Sequence, residues 1–152
     1  NITPAAEFNI AFDPEAAHLV FAAFPRIELA DWEAVMAHGL PHPEVERWLA
    51  ADSPRASFYA GISAHTRNWA RAGRGERWHA ADALAMALAL EPDGAVEMLE
   101  RPLAVELDGR YTRGSTVIDW NQQGGGTDNA VILMRYDQAH FERLLESALA
   151  AH

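Results

Sequence analysis

Apolar positions recur with a helical period through most of the first ninety residues. Asp13, Pro14 and Glu15 form a typical helix start, because aspartate caps free backbone N–H groups and proline suits the first turn. The helix is predicted to run to about Phe24, before Pro25 ends it. Its predicted buried stripe consists of Ala16, Leu19, Val20 and Ala23.

The same reasoning predicts a short strand at 26–30 and further helices at 31–38, 43–51, 53–70 and 78–90. Ser53, followed by Pro54, is predicted to cap the 53–70 helix, which carries Phe58, Ile62, His65 and Trp69 on one side. The helix at 78–90 is apolar nearly all round and is therefore predicted to be buried.

After residue 94 the period changes to two. The alternation predicts three strands, around 103–107, 116–120 and 131–133, with a tight hairpin turn at Asp108-Gly109. Asp137 is predicted to cap a final amphipathic helix. This order, with helices first, then an antiparallel-looking sheet, is typical of an α+β domain or of the back half of an α/β fold.

Length and composition restrict the class of protein. With 152 residues, 49% of them apolar, the chain fits one compact domain or roughly half of a larger one. It has no run of about 18 apolar residues, so no membrane span is predicted. It also has no initiator methionine and no signal-peptide pattern, so we expect a piece of a longer chain. The lack of cysteine excludes disulfides and thiolate chemistry and favours a cytoplasmic location.

The net charge of −10 disfavours a nucleic-acid partner, because phosphates would be repelled by most of the surface. One short segment, residues 53–78, is an exception with a single acid, Glu76. Its basic residues are Arg55, Arg67, Arg71, Arg74 and Arg77. A solvated helix face is the favoured interpretation of this patch.

Three polar clusters could carry chemistry. The first comprises Asn1, Glu7 and Asn9, whose carboxamides and carboxylate suit vicinal hydroxyl groups, because together they donate and accept hydrogen bonds. This pattern indicates a sugar site, although a polar loop with local turn bonds is favoured from spacing alone.

The second cluster, Trp78 to Ala87, contains one acid at the start of an apolar helix. Asp82 is interpreted first as an ordinary N-cap and alternatively as a metal ligand, since a buried carboxylate needs a partner. His79 is a surface residue, a hydrogen-bonded core residue or an acid. Trp78 is a core residue or a platform on which a base stacks.

The third cluster lies at Arg113–Trp120. A structural role for Arg113 and Asp119, as a pair, is the default interpretation. None of the common self-sufficient catalytic signatures is present in the sequence.

Three blocks, taken together, resemble a known family. They are 1–10 with 13–17 (NITPAAEFNI, DPEAA), 82–87 (DALAMA), and Arg113 through Asp119-Trp120 to Asn129 and the closing Asp137–Phe141 helix. Their residues and order resemble the inosine-uridine preferring nucleoside hydrolases. The resemblance spans nearly the whole chain and corresponds to the C-terminal half of that family's domain.

The resemblance implies an α/β fold, an open sheet with extra helices, of which residues 1–152 would be the helix-rich C-terminal portion with a few late strands. The family's aspartate-rich calcium motif, which also supplies the catalytic base, belongs to the N-terminal half and is absent here. We therefore expect the isolated chain to be inactive and to need that half or a second chain. The sequence leaves open whether the protein forms homo-oligomers.

The resemblance further implies hydrolysis of the N-glycosidic bond of ribonucleosides to ribose and free base, as in purine and pyrimidine salvage, with water activated by Ca²⁺. By position, Asn1, Glu7 and Asn9 would bind ribose hydroxyls, Phe8 would line the pocket, and Asp82 would be the calcium ligand from this half.

One departure concerns the leaving base. Some members place a histidine directly before the calcium aspartate, where this chain has Ala81. His79 is a weak substitute as acid, and stacking on Trp78 is the alternative. The rival functions are a non-catalytic domain that binds a nucleoside, a sugar or another protein, and a metal-free structural module.

Overall fold

The computed structural model describes residues 1–73 and 75–150. In chain order the elements are α1 (Phe8–Phe12), α2 (Pro14–Ala23), β1 (Ile27–Leu29), α3 (Trp32–Ala37), β2 (Leu40–Pro41), α4 (His42–Leu49), α5 (Pro54–Gly73), β3 (Arg77–Trp78), α6 (Ala81–Leu90), β4 (Ala95–Arg101), β5 (Leu103–Val105), β6 (Thr116–Ile118), β7 (Ala130–Tyr136) and α7 (Gln138–Ala150). A 3-10 turn at Pro92–Gly94 precedes β4.

The chain divides into two compact units. The first unit combines residues 1–32 with 97–134, and the second combines 33–96 with the chain from Arg135 onward. The boundaries fall inside α3, β4 and β7. The expected mixture of helices and late strands with an open sheet is confirmed.

The first unit is built on strand β7. β1 pairs parallel with β7, with Ile27 opposite Ala130 and Leu29 opposite Ile132, and β4 lies on the other side of β7. β5 and β6 form a separate antiparallel pair. The antiparallel assignment of the late strands fits β7 against β4, since Asn129 bonds to Arg101 at one end of the pair and Asp137 to Gly94 at the other. It missed the parallel partner of β7, because β1 lies about a hundred residues earlier, beyond the reach of local patterns.

The core of the first unit lies between α2 and these strands, and consists of Phe21, Leu103, Val105, Ala130 and Ile132. α2 begins after its predicted cap, since Asp13 Oδ1 accepts a hydrogen bond from the backbone N of Ala16 at 2.9 Å. The predicted buried stripe is wrong, because Ala16, Leu19, Val20 and Ala23 are all exposed. Nearly every face of this helix is apolar, so packing against β5, rather than periodicity, selects the buried one.

The second unit is mainly helical. α4, α5 and α7 pack on one another, and β2 pairs antiparallel with β3, placing Leu40 opposite Trp78. Ser53 caps α5 as predicted, because its Oγ accepts from the backbone N of Ala56 at 3.0 Å. The α5 side that carries Phe58, Ile62 and Trp69 is exposed in the structure. Arg74, one member of the predicted arginine patch, lies outside the described residues.

Three parts of the predicted element order need correction. The helix predicted at 78–90 begins only at Ala81 and is not buried all round, since Met86 and Leu90 are 57% and 70% exposed. β4 was not predicted. Asp108-Gly109 makes no tight hairpin turn, because a ten-residue loop, 106–115, joins β5 to β6.

Asp137 caps α7 as predicted, its Oδ1 accepting from the backbone N of His140 at 2.7 Å. Within the described part of the chain, no helix combines the length and the apolar character needed to cross a membrane.

Candidate functional site

The first predicted cluster forms a compact polar turn around the start of α1. Asn1 Oδ1 accepts a hydrogen bond from the backbone N of Phe8 at 2.8 Å. The Glu7 carboxylate caps α1, accepting from the backbone N of Asn9 at 2.8 Å and of Ile10 at 3.4 Å. The Asn9 side-chain amide also donates to Glu7 at 3.4 Å. The structure thus brings Asn1, Glu7, Phe8 and Asn9 together within one unit.

Part of this turn remains open to a ligand. Asn1 and Asn9 are exposed, and Glu7 is half-buried. Within the described residues, Asn1 Nδ2 and Asn9 Oδ1 have no hydrogen-bond partner. A free amide donor and a free amide acceptor can together bind a diol. The polar-loop and sugar-site interpretations are therefore compatible, because different atoms of the same side chains serve each.

A close approach of the β5–β6 loop holds this turn in place. Gly114 has a φ of +81°, and a Cβ there would lie 3.1 Å from Ala6 Cβ and 3.5 Å from Ala11 Cα. A side chain at this position would therefore strain the backbone and crowd the turn.

Beside it, Arg113 binds Glu15 through both carboxylate oxygens, at 2.6 and 2.8 Å, and donates to the Leu107 carbonyl at 2.6 Å. The Arg113 guanidinium lowers the pKa of Glu15, chiefly through this hydrogen bond. The predicted Arg113–Asp119 pair is therefore wrong. Asp119 instead accepts from the backbone N of Gly124 at 2.6 Å and of Gln123 at 3.0 Å, and these bonds lower its pKa.

Asn129, part of the third block of the resemblance, joins three segments of the first unit. Its Oδ1 accepts from the backbone N of Leu103 at 2.7 Å, and its Nδ2 lies 2.9 Å from the Phe21 carbonyl and 3.0 Å from the Leu103 carbonyl. Its side chain therefore has a structural role in linking α2 to β5.

Asp82 lies in the first turn of α6, in the second unit. The residue that caps α6 is Ala80, which provides no side-chain hydrogen bond. The N-cap interpretation of Asp82 is therefore wrong. Its side chain is exposed and, among residues 1–73 and 75–150, accepts no hydrogen bond and pairs with no cation. Such a carboxylate is available to an external ligand.

Trp78 and His79 lie just before α6, with Trp78 in β3 rather than on a helix. Gly39, the residue before β2, lies close to them, and its carbonyl accepts a hydrogen bond from Arg77 Nη1 at 2.8 Å. A Cβ at Gly39 would lie 2.9 Å from His79 Nε2 and 3.0 Å from Arg77 Cβ. Glycine at this position therefore allows the half-buried His79 ring to pack against the backbone of residue 39.

A buried group that the sequence did not indicate holds the far end of α6. The Tyr136 hydroxyl lies 2.8 Å from the Glu91 carbonyl and 3.3 Å from the Ala87 carbonyl. Burial raises the pKa of Tyr136, with the charges of Glu91 and Asp137 adding to the effect, so the hydroxyl keeps its proton and donates it. A tyrosine at the end of an apolar strand is usually a core residue, so no sequence signal marked it.

Tyr136 is itself fixed by two contacts. Its backbone N and its carbonyl O both lie 2.9 Å from His38 Nε2, and Nδ1 of the same ring lies 2.7 Å from the Ala34 carbonyl. The aromatic ring lies against Gly94, where a Cβ would overlap ring atoms.

The described residues offer no cluster of three or more His, Asp or Glu side chains able to hold a metal ion. Asp82 nevertheless has the chemistry of a single ligand, since calcium prefers carboxylate oxygens and this one has no competing partner. The fit is therefore limited to this one carboxylate, and an ion bound there would need its other ligands from outside the described residues.

Residues 1–143 match the family model described as inosine-uridine preferring nucleoside hydrolase. Over 155 residues the chain is 34% identical to the pyrimidine-specific ribonucleoside hydrolase RihA of Enterobacter sp. (strain 638), covering 99% of this chain and 48% of that protein. The RihA of Salmonella typhimurium is 30% identical over 154 residues, covering 98% of this chain and 48% of that protein.

Solved structures agree in fold. An inosine-guanosine nucleoside hydrolase superposes with a TM-score of 0.84 at 24% identity, covering 97% of this chain and 47% of that one. A plant nucleoside hydrolase gives a TM-score of 0.88 at 22% identity, covering 100% of this chain and 50% of that one.

The chain thus spans about half the length of the curated relatives it matches. The family match extends over nearly all of its residues and includes both the polar turn and Asp82. The chain belongs to the inosine-uridine preferring nucleoside hydrolase family.

Proposed function

We propose that this chain is the C-terminal half of a ribonucleoside hydrolase and contributes ribose-binding and calcium-binding side chains to its active site. The observation that carries the proposal is the exposed carboxylate of Asp82, which no structural interaction in the described residues occupies. The family match over residues 1–143 supports the proposed reaction.

In this reaction water attacks the anomeric carbon of the ribose. The bond from that carbon to the base nitrogen breaks, and the base leaves with the electron pair and takes up a proton. The products are ribose and free base. Because positive charge develops on the sugar, polar groups around the ribose stabilise the transition state.

The polar turn would bind the ribose. Asn1 Nδ2 and Asn9 Oδ1 are free to donate to and accept from hydroxyl groups, while Glu7 orients Asn9 through the bond between their side chains. Phe8 is 54% exposed and would form an apolar wall beside the sugar. These side chains are already ordered by backbone hydrogen bonds, so binding costs less conformational entropy.

Asp82 would be one ligand of the calcium ion. When bound, the ion would orient the attacking water and lower its pKa. Asp82 is in the first turn of α6, and the geometry of that helix decides where its carboxylate lies.

Trp78 would stack on the leaving base, and His79 is the alternative group as its acid. His79 is packed at Gly39, which restricts its reach and makes stacking on Trp78 the better-supported role. A Trp78→Ala variant with unchanged turnover would contradict this assignment.

The complementary half of the domain would cover apolar surface that this chain exposes. In the first unit, Phe12, Leu19 and Phe24 are 85%, 66% and 58% exposed. Large apolar side chains exposed on α1, on α2 and at the end of α2 are consistent with a surface that is buried in the complete protein. That half would also supply the catalytic base and the other calcium ligands.

The test is a reducing-sugar assay with inosine and with uridine in the presence of calcium. We expect no ribose release from this chain alone and release once the complementary half is added. Asp82→Ala in the complete domain should reduce release by roughly 100-fold or more, as expected for loss of a metal ligand.

The matched control is Asp52→Ala, an exposed acid on the turn before α5, which should retain full activity. If the complete domain released no ribose, a non-catalytic nucleoside- or sugar-binding domain would be the better interpretation. If Asp82→Ala left ribose release unchanged, the assigned metal ligand would be wrong.

A further inference from the structure

The carboxylate of Asp82 has no anchor of its own. Its helix, α6, begins without a side-chain cap, and Asp82 contacts no partner among the described residues. The position of the carboxylate therefore depends on how the body of α6 is held. Leu84, Ala87 and Leu88 are buried and fix one face of the helix.

Apolar packing alone restrains sliding and rotation of a helix weakly, because it lacks direction. Directional contacts are found at the other end of α6, where the last carbonyls have no partner within the helix. The Tyr136 hydroxyl donates to the Glu91 carbonyl at 2.8 Å and lies 3.3 Å from the Ala87 carbonyl. Ala87 follows Asp82 by five residues, or about 8 Å along the axis.

Contacts other than the hydroxyl hydrogen bond also hold Tyr136 in place. It is 2% exposed, its backbone N is bonded to the buried His38, and its ring is packed where Gly94 leaves room for it. The hydroxyl thus acts from a rigid position, with α3 on one side and the turn before β4 on the other.

We propose that Tyr136 is a positioning residue for the metal site: its hydroxyl fixes the register of α6 and thereby places the Asp82 carboxylate. This inference rests on the proposed function of Asp82 as a calcium ligand. Tyr136 acts through α6 and need not touch substrate or metal.

The experiment measures calcium affinity, by direct titration of the complete domain, in Tyr136→Phe. Phenylalanine keeps the ring packed at Gly94 and removes only the hydroxyl, so the protein should fold. We expect calcium affinity to weaken about tenfold, the lower end of the effect of losing a group that orients a metal ligand. At saturating calcium, kcat should recover most of its value.

Two controls separate positioning from stability. Val105→Ala lowers the melting temperature by opening a small cavity in the core of the first unit and should leave calcium affinity unchanged. Tyr111→Phe removes the hydroxyl of an exposed tyrosine and should change neither quantity. Unchanged calcium affinity in Tyr136→Phe would overturn the inference, as would an equal weakening in Val105→Ala.

Asp82→Asn distinguishes this inference from the function on which it rests. Weakened calcium affinity in Asp82→Asn with wild-type affinity in Tyr136→Phe would overturn the positioning role alone. Wild-type affinity in Asp82→Asn would overturn the metal assignment and the positioning role together.

Discussion

The polar turn at Asn1–Asn9 and the start of α6 use their acidic residues in opposite ways. In the turn, Glu7 caps α1, so the side chain that would position ribose-binding groups also stabilises the local backbone. At α6, Asp82 stabilises nothing within the described residues, and the helix that carries it is held from its far end by Tyr136. In the polar turn, one residue both stabilises the backbone and supports the proposed binding groups. At α6, the proposed ligand and the residue that holds the helix are different.

This difference predicts how each region responds to mutation. Substitutions in the polar turn should affect stability and binding together. Around α6 the two effects should separate at Asp82, whose loss should weaken binding without lowering stability. Changes at Tyr136 and its neighbours should lower stability and should affect binding only through the position of α6.

The largest loss of stability is expected from Gly94→Ala. The new Cβ would overlap the Tyr136 ring, so either the ring or the turn must move, at a cost of about 3 kcal/mol. Urea unfolding of the variant measures this loss. The control is Gly61→Ala in α5, where a Cβ meets nothing within 4 Å and alanine should stabilise the helix by about 0.5–1 kcal/mol. Equal unfolding midpoints for the two variants would contradict the rigid placement of Tyr136.

A smaller loss, about 1 kcal/mol, is expected from Glu7→Ala, which removes the cap of α1. Glu7→Gln keeps an acceptor oxygen and should recover most of that loss. Glu76→Ala, at an exposed acid outside any helix, should stay within about 0.5 kcal/mol of wild type. Thermal unfolding compares the three, and a Glu7→Ala variant as stable as Glu76→Ala would show that the turn does not depend on its own carboxylate.

The Glu15–Arg113 contact beside the turn should give a pH-dependent contribution. The pKa of Glu15 in the folded protein lies below its ordinary value of 4.5, so its stabilising effect is fully present above that pH and is lost as the pH falls through the folded pKa. The difference in unfolding midpoint between wild type and Arg113→Ala should therefore shrink from pH 7 to pH 3.

Arg110→Ala is the control for this titration. Arg110 lies over the Tyr111 ring, 5.3 Å from its centre. Its effect on the unfolding midpoint should be the same at both pH values, and a pH-independent Arg113→Ala difference would show that the ion pair contributes nothing.

The smallest change in stability is expected from Asp82→Asn, less than about 0.5 kcal/mol, because its carboxylate has no partner to lose. The comparison is Asp13→Ala, which removes the cap of α2 and should cost about 1 kcal/mol. If Asp82→Asn lost as much stability as Asp13→Ala in calorimetry, Asp82 would be a structural residue.

Local signals predicted the elements whose ends are marked by capping residues. α2, α5 and α7 begin after Asp13, Ser53 and Asp137 as expected, since a cap acts within three residues and can be recognised from them. The predicted helix start at Trp78 was wrong, because Trp78 lies in β3 and pairs with Leu40 in β2, far away in the sequence. The prediction also failed at β4, whose three charged residues obscure the alternation.

The candidate site divides in the same way. Family membership was predicted from three blocks of residues and is confirmed by the match over residues 1–143. The assigned roles of Asn1, Glu7, Phe8, Asn9, Trp78 and Asp82 remain proposals. The cap expected at Asp82 and the Arg113–Asp119 pair were both wrong, because each interpretation placed a side chain with the nearest plausible partner in sequence.

The amino-acid sequence by itself determined the family and the starts of the helices that Asp13, Ser53 and Asp137 cap, because these depend on residue identity and on the spacing of a few positions. Only the tertiary structure decided that α2 buries Phe21 rather than Leu19, that Arg113 binds Glu15, and that Tyr136 holds the helix of Asp82. Each of these contacts joins residues that are distant in sequence, so it depends on how the whole chain packs in three dimensions.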